Sequence, residues 1–175
     1  IPGHEPCGIV SEIGPGVDDT MVKVGDRVAV YLAVGCGHCV HCRMGYYMHC
    51  PDWKCIGFDI DGGHAEKLLI PAINCMKMPD EMSFSHGALS TDKVGTLYHA
   101  QKQLGISGRD TVIMFGMGPM GLVGVAVARS LDATVIAVDV VDERLDIAKS
   151  VGAQHTINGK TTDVVRKVRD LTGGP

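Results

Sequence analysis

Residues 111–139 read TVIMFGMGPMGLVGVAVARSLDATVIAVD. An apolar run typical of a strand, residues 111–115, enters a Gly-x-Gly-x-x-Gly turn, and the turn opens an apolar stretch of helix length. A second apolar run then ends in Asp139. This order of strand, glycine-rich turn, helix, strand and acid is the context that a dinucleotide-binding unit requires. The stretch therefore predicts such a unit, and a ligand-free tight turn is the alternative.

The residues of the turn have separate physical roles. Gly116 allows the tight turn, Gly118 lets the backbone approach a pyrophosphate, and Gly121 lets the helix pack closely against the strand. A Pro in the first helical turn is tolerated because its missing N–H would have no partner there, and free N–H groups at the helix start attract phosphates. Asp139 lies at the spacing where an acid accepts hydrogen bonds from the adenosine ribose. The predicted cofactor-binding residues are Gly116, Gly118, Pro119, Met120, Gly121 and Asp139.

The composition limits the classes of function. Apolar residues make up 45% and charged residues 21% of the 175-residue chain, which is typical of a globular protein. The net charge of −4 gives no basic surface for nucleic acid or an anionic membrane. The apolar run at 122–131 is interrupted by Arg129, and no secretory signal pattern is seen. We therefore expect a cytoplasmic protein with no nucleic-acid or membrane partner.

The two ends of the sequence predict that it is an internal piece of a longer protein. It begins at Ile1 without a Met and stops at Pro175, just after a third strand–helix unit. A doubly wound dinucleotide-binding domain has about six strands in two halves, and only one half is found here.

The region before the glycine-rich unit has a different pattern. Short β-prone runs alternate with Gly-rich turns, which predicts an antiparallel sheet or a partly open barrel. From Ser83, which can cap a short helix, helical periodicity takes over. Strands are predicted at residues 7–13, 26–32, 63–70, 75–78, 111–115, 135–139 and 154–157. Helices are predicted through residue 89 after a cap at Ser83, at about 94–104, after Gly121, to about residue 151 after a cap at Asp142, and at 162–171.

The most specific metal signal is a group of four cysteines between residues 36 and 50. They are Cys36, Cys39, Cys42 and Cys50. Four thiolates around a compact loop suit a tetrahedral zinc, and they leave no ligand position for water, so the site would be structural. An iron–sulfur cluster, which thiolates also bind, is one alternative for this loop. Two disulfides are another. Histidines at positions 38, 41 and 49 could compete as ligands, but we expect them to be solvated loop residues.

Four motifs, taken together, resemble one family. In chain order they are Gly3-His4-Glu5-Pro6, the cysteine group, Gly62-Gly63-His64-Ala65-Glu66 and the glycine-rich unit ending in Asp139. Their order is similar to that in zinc-dependent medium-chain alcohol dehydrogenases. The resemblance implies a β-rich chaperonin-10-like (GroES-like) partial barrel joined to an α/β Rossmann domain with a doubly wound parallel sheet, both incomplete. It places a catalytic portion at 1–90 with the zinc loop at 36–50, a connecting helix at 91–105, and the first half of the dinucleotide-binding domain at 106–175.

The resemblance also implies a second, catalytic zinc with an open ligand position. His4 matches the histidine ligand of the family, and Asp92 matches a third ligand that many members supply as Cys. Glu5 matches an adjacent acid that is a ligand in some members and a close neighbour in others. Asp92 could instead cap the helix that it would open. The family's first Cys ligand would lie before Ile1, so the 175-residue piece alone is expected to be nearly inactive.

Two further residues match positions near the coenzyme in the family. Thr96 matches a position beside the nicotinamide, with helix packing as the alternative. Arg144 matches a basic position near the adenosine ribose, with a solvated helix face as the alternative. Asp139 favours NAD, because its carboxylate would repel the 2′-phosphate of NADP. A guanidinium at Arg144 would weaken that preference.

The resemblance implies reversible hydride transfer between an alcohol and NAD, with zinc as the Lewis acid. A polyol or amino-alcohol dehydrogenase of the same family, of the sorbitol or threonine type, is the nearest alternative. A non-catalytic zinc-binding module and a zinc-free reductase of the same superfamily are more distant alternatives. We expect a small-molecule alcohol or carbonyl substrate, and a dimer or tetramer of identical chains for the full-length protein.

Overall fold

The computed structural model describes residues 1–174, which form two compact units. The first unit is Ile1–Asp92, and the second begins at Lys93. Short strands dominate the first unit, and strands alternate with helices in the second. The two-part fold class is therefore confirmed, whereas the finer division at residues 91–105 stays a prediction.

Short antiparallel strands build the first unit. They are β1 Cys7–Ile9, β2 Arg27–Val30, β3 Ala33–Val34, β4 Lys54–Cys55 and β5 Cys75–Lys77. Strand β2 is the centre of a three-stranded sheet with β1 and β5 beside it, and β3 pairs with β4. Because β2 is central and apolar, its last three residues, 28–30, are buried. The strands predicted at 7–13 and 26–32 exist, but they are shorter than predicted.

The strand predicted at residues 63–70 is wrong, because this segment forms no strand. Its first backbone donors bond to the start of the chain instead. The N–H of Gly63 donates to the carbonyl of Gly3 at 2.8 Å, and the N–H of His64 donates to the carbonyl of Pro2 at 3.0 Å. The segment therefore supports the residues around His4 instead of extending the sheet.

The first unit has two short α-helices and two 3-10 helices, the latter at Tyr47–His49 and Ala72–Asn74. Helix α1, Val40–Arg43, lies within the cysteine loop, and helix α2 is Phe84–Leu89. Ser83 caps α2 as predicted, since its Oγ accepts a hydrogen bond from the N–H of His86 at 3.2 Å. The cap satisfies one of the free donors at the helix start.

A π-helical turn, Ser90–Val94, follows α2 directly and leads into helix α3, Gly95–Gln103. Such turns are rare and are found frequently at functional sites. Asp92 lies inside this turn, and the capping position of α3 is held by Val94. Asp92 is therefore not in the capping position of the helix that follows it.

The second unit contains a parallel sheet with helical connections. Its elements are β6 Thr111–Phe115, α4 Pro119–Ser130, β7 Thr134–Asp139, α5 Asp142–Ser150, β8 His155–Asn158 and α6 Val164–Thr172. The strand order is β6-β7-β8, with all pairs parallel. This is the strand–helix alternation of a doubly wound domain, as predicted. None of the helices within residues 1–174 has the length and apolar character that a bilayer crossing requires.

Strand β7 is the centre of the second unit. Successive side chains of a strand point to opposite faces, and both faces of β7 are covered: Val135 and Ala137 pack with α4 and α5, while Ile136 and Val138 pack with α6. Strand β6 has β7 as its single partner strand within residues 1–174. On one face of β6, Ile113 is 38% exposed and Phe115 is 68% exposed.

Candidate functional site

The four predicted structural-zinc ligands come together in one loop of the first unit. They are Cys36, Cys39, Cys42 and Cys50, and their Sγ atoms all lie within 4.8 Å of one another. Over residues 1–174, this is the only group of three or more His, Cys, Asp or Glu donors that meets the same distance limit. All seven cysteines are free, so the loop does not contain the two disulfides of the alternative interpretation. Four sulfur donors in this arrangement fit a tetrahedral zinc.

Backbone donors of the loop are directed at the sulfur atoms. The N–H of Cys39 donates to Cys36 Sγ at 3.4 Å, and the N–H of Cys42 donates to Cys39 Sγ at 3.5 Å. The backbone donors of His38 and Cys39 lower the pKa of the Cys36 thiol, whereas burial raises the pKa of the Cys42 thiol. The loop also requires Gly35, because a Cβ there would lie 2.5 Å from Cys42 Sγ. Sequence reasoning missed Gly35, since a single glycine carries no metal-binding pattern.

His4 and Asp92, predicted as ligands of a catalytic zinc, also lie together. The Nε2 atom of His4 is 3.3 Å from Oδ2 of Asp92, and the two side chains are 37% and 27% exposed. Glu5 does not join them in a group of three donor atoms within 4.8 Å of one another. The structure therefore brings two of the three predicted residues together, and the role of Glu5 stays a prediction.

The separation of His4 and Asp92 fits two ligands of one metal ion. Two ligand atoms that are each about 2.1 Å from a tetrahedral zinc lie about 3.4 Å apart. The observed distance of 3.3 Å is close to that value. Imidazole nitrogen and carboxylate oxygen are both ligands of catalytic zinc, which typically has three protein ligands and keeps one open position.

Two aromatic side chains that the sequence analysis missed interact with this pair, one through a ring contact and one electrostatically. The ring of Phe58 is tilted against that of His4, with 5.2 Å between centroids and 47° between planes. Burial is the main cause that raises the pKa of the Tyr31 hydroxyl, and the charge of Asp92 adds to this effect. Both aromatic residues lie far from His4 or Asp92 in sequence, so no local pattern indicated them.

The glycine-rich turn of the second unit has the predicted geometry. Gly116 has a φ of +83°, which favours glycine, and its N–H donates to the carbonyl of Val138 at 2.8 Å. A Cβ at Gly121 would collide with the carbonyl oxygen of Gly116 and lie 2.9 Å from its carbonyl carbon. A Cβ at Gly118 would meet no other described atom within 4 Å. Gly121 is therefore required by packing, whereas Gly118 leaves open space at the start of α4.

Asp139 connects the end of β7 to this turn. Its Oδ1 accepts hydrogen bonds from the N–H groups of Val140 and Val141 at 2.7 and 2.9 Å, and its Oδ2 accepts one from the N–H of Met117 at 2.5 Å. The side chain is only 4% exposed. The donated bonds, with that of Met117 first, lower the pKa of the Asp139 carboxyl, and Arg144 adds a smaller effect. The carboxylate of Asp139 thus stabilises the glycine-rich turn by a hydrogen bond, a role that the sequence analysis did not include.

The remaining predicted coenzyme residues lie on three helices. Met120 is in the first turn of α4 and is 40% exposed. On α5, Nη1 of Arg144 is 3.9 Å from Oδ2 of Asp139, so the guanidinium lies beside the acid. Thr96 is in the first turn of α3. Their contacts with a coenzyme stay predictions.

Comparisons with known proteins give matches for both units. Residues 1–80 match the profile of the alcohol dehydrogenase GroES-like domain, and residues 119–175 match that of the zinc-binding dehydrogenase family. An alcohol dehydrogenase of Geobacillus stearothermophilus is 38% identical over 99% of this chain and 51% of its own length. An L-threonine 3-dehydrogenase of Pyrococcus horikoshii is 41% identical over 99% of this chain and 49% of its own length.

Solved structures agree with these matches. Alcohol dehydrogenase TADH from Thermus sp. ATN1 superposes with a TM-score of 0.91 at 32% identity, over 99% of this chain and 51% of that one. The alcohol dehydrogenase rspB from E. coli CFT073, described as short-chain and solved in complex with NADH, gives a TM-score of 0.88 at 32% identity over the same shares. The chain spans about half the length of the curated relatives that it matches.

Proposed function

The chain belongs to the zinc-containing medium-chain alcohol dehydrogenase family, and on that premise we propose that the whole protein transfers hydride between a small alcohol and NAD. The observation that carries the proposal is the contact between His4 and Asp92, 3.3 Å apart, in a unit that also holds the four-cysteine group. Four thiolates suit a structural zinc, whereas a histidine–carboxylate pair suits a catalytic one.

The residues of the first unit would hold the catalytic metal. Nε2 of His4 and Oδ2 of Asp92 would be two of its ligands, and Glu5 would be a third ligand or a neighbour. The ring of Phe58 lies beside the imidazole, with 5.2 Å between the ring centroids. A bound zinc supplies Lewis-acid polarisation of the alcohol oxygen, which lowers the pKa of the alcohol.

The residues of the second unit would hold the coenzyme. The open space at Gly118 and the free N–H groups at the start of α4 suit a pyrophosphate. Asp139 supports NAD over NADP, because its buried carboxylate would repel a 2′-phosphate. Arg144 supports the opposite preference, but it lies against the acid, which offsets its charge. Thr96 would lie beside the nicotinamide, and Met120 would border the pyrophosphate.

An amino-alcohol dehydrogenase is the second candidate. The specific observation in its favour is the L-threonine 3-dehydrogenase of Pyrococcus horikoshii, which is 41% identical to this chain. Initial rates of NADH formation with ethanol, sorbitol and L-threonine would separate the simple alcohol, polyol and amino-alcohol activities. The assembly into a dimer or tetramer and the cytoplasmic location stay predictions.

The test of the proposed function is alcohol-dependent NADH formation by the complete protein and its variants. We expect His4→Ala and Asp92→Ala each to lose one zinc per chain and at least about 100-fold in rate, since a catalytic metal ligand is removed. His155→Ala and Asp80→Ala are matched controls, because both residues are exposed and lie outside the proposed site. If His4→Ala or Asp92→Ala keeps the rate and zinc content of its control, that residue is not a ligand.

A further inference from the structure

The residues around His4 are held by backbone hydrogen bonds to one loop of the first unit. The N–H groups of Gly62, Gly63 and His64 donate to the carbonyls of Ile1, Gly3 and Pro2 at 2.8, 2.8 and 3.0 Å, respectively. On the other side of His4, the carbonyl of Pro6 accepts a hydrogen bond from the N–H of Val30 in β2 at 3.0 Å. The backbone is thus held by hydrogen bonds on both sides of His4.

Three glycines make this close approach possible. A Cβ at Gly62 would collide with the carbonyl oxygen of Gly3 and lie 2.6 Å from that of Pro2. A Cβ at Gly57 would lie 2.8–2.9 Å from the backbone of Gly3. A Cβ at Gly63 would collide with Pro6 Cβ. Gly57, Gly62 and Gly63 are called the glycine clamp below.

The atoms that a methyl group would meet at Gly57 and Gly62 are all backbone. Backbone cannot rotate away as a side-chain end can, so the loop that carries the glycines and the segment 1–6 would have to move apart. Ordinary carbon–oxygen contacts are about 3.3 Å or longer, so the shift would be on the order of 0.5–1 Å. Metal–ligand distances tolerate about 0.2 Å. A shift of this size would separate His4 from the position at which it lies 3.3 Å from Asp92.

We propose that the glycine clamp is a set of positioning residues for the catalytic metal, because it fixes the backbone of His4 relative to Asp92. The proposal rests on the proposed function, since it requires that His4 binds the metal. The glycines themselves touch neither metal nor substrate. Their role is to exclude side chains from the space that the metal-binding segment occupies.

Two matched pairs of alanine variants of the complete protein test the proposal. Gly62→Ala pairs with Gly14→Ala: neither glycine has a left-handed φ, and a Cβ at Gly14 would meet no other described atom within 4 Å. Gly57→Ala pairs with Gly16→Ala: both have a φ of +80°, and only Gly57 is surrounded. The pairs therefore separate crowding of the segment 1–6 from the backbone strain that any alanine would cause.

The readout is zinc per chain after dialysis against a graded series of a zinc chelator, with near-UV circular dichroism of each variant. We expect Gly62→Ala and Gly57→Ala to release the catalytic zinc at about 10- to 100-fold lower chelator strength than their controls, the usual effect of a residue that orients a metal ligand. The zinc of the cysteine loop should remain, and His4→Ala should reproduce the loss of the same ion. A purely structural role would release both ions together.

Each outcome decides between the proposals. If His4→Ala loses a zinc but Gly57→Ala and Gly62→Ala retain it like their controls, the clamp proposal is wrong and the proposed function stands. If the wild-type protein holds only the cysteine-loop zinc and His4→Ala changes nothing, the proposed function is wrong and the clamp proposal fails with it. If both clamp variants lose both ions and their near-UV signal, the glycines hold the whole unit together, which also overturns the clamp proposal.

Discussion

Gly118 and Gly121 belong to the same turn, but we expect their alanine variants to fail in different ways. At Gly121, a new Cβ would collide with the carbonyl oxygen of Gly116, so α4 would have to move away from the turn. Overpacking of this kind costs about 3 kcal/mol when backbone cannot yield, and the better helix propensity of alanine returns about 1 kcal/mol. The net loss of about 2 kcal/mol lowers the folded-to-unfolded ratio of the second unit about 30-fold.

At Gly118 the same substitution should leave folding intact. The residue has a φ of −74° and no described neighbour at the Cβ position, so alanine fits without strain. Alanine is a poorer N-cap than glycine, which lowers the free energy of unfolding, but it also restricts the unfolded chain, which raises it. Each effect is below about 1 kcal/mol, so the two nearly cancel. The methyl group would occupy the space through which the backbone approaches a pyrophosphate. We therefore expect NAD affinity to fall at least about tenfold, or 1.4 kcal/mol.

Two assays are made on the complete protein. The first is urea unfolding monitored by hydrogen exchange of the β7 amides, and the second is titration with NAD. Gly124→Ala is the matched control, because it lies in the same helix and its Cβ would meet only the ends of two side chains, Met114 and Leu97, at 2.7–3.1 Å. It should be close to neutral in both assays. A Gly121→Ala variant as stable as Gly124→Ala, or a Gly118→Ala variant with unchanged NAD affinity, would refute the reasoning.

Three further predictions concern the metal loop and the acid of β7. Cys39→Ser should reduce zinc by one ion per chain and loosen the loop, because metal binding there contributes to folding; elemental analysis checks this, with Cys75→Ser as the control that should keep its zinc. Asp139→Asn should be less stable than wild type at neutral pH. Because the folded-state pKa of Asp139 is lowered, its carboxylate stabilises the fold above the unfolded pKa of about 3.9, and this stabilisation is lost as the pH falls through the lower folded value. The unfolding curves of Asp139→Asn and wild type should therefore converge in acid. NAD should bind more tightly than NADP in titrations of the complete protein, and equal or tighter NADP binding would show that Asp139 does not set the preference.

Local patterns predicted the second unit well. Strand β6 has the predicted bounds, 111–115. The glycine-rich turn and the helix that set its end follow it directly in sequence, so no distant segment is needed to predict it. Helix α5 begins at Asp142, with Val141 in the capping position, which is one residue from the prediction. The cysteine group was also predictable, since all four ligands come from one short loop.

Features that depend on distant contacts were not predictable in this way. The apolar residues at 63–70 resemble a strand locally, but the backbone donors of that region bond to the start of the chain. The π-helical turn around Asp92 amounts to a local change of hydrogen-bond register, which leaves no mark in the periodicity of the side chains. The pairing of His4 with Asp92 was expected from family resemblance alone, because the two residues lie far apart in sequence.

The backbone edge of β6 that faces away from β7 has a practical consequence for a polypeptide limited to these 175 residues. The strand reads Thr-Val-Ile-Met-Phe, without charge or proline, and among residues 1–174 it pairs on one side only. A bare strand of this kind is a template for pairing with a second molecule. Such a polypeptide should therefore associate edge to edge as its concentration rises, and a lysine in place of the exposed Ile113 should keep it monomeric.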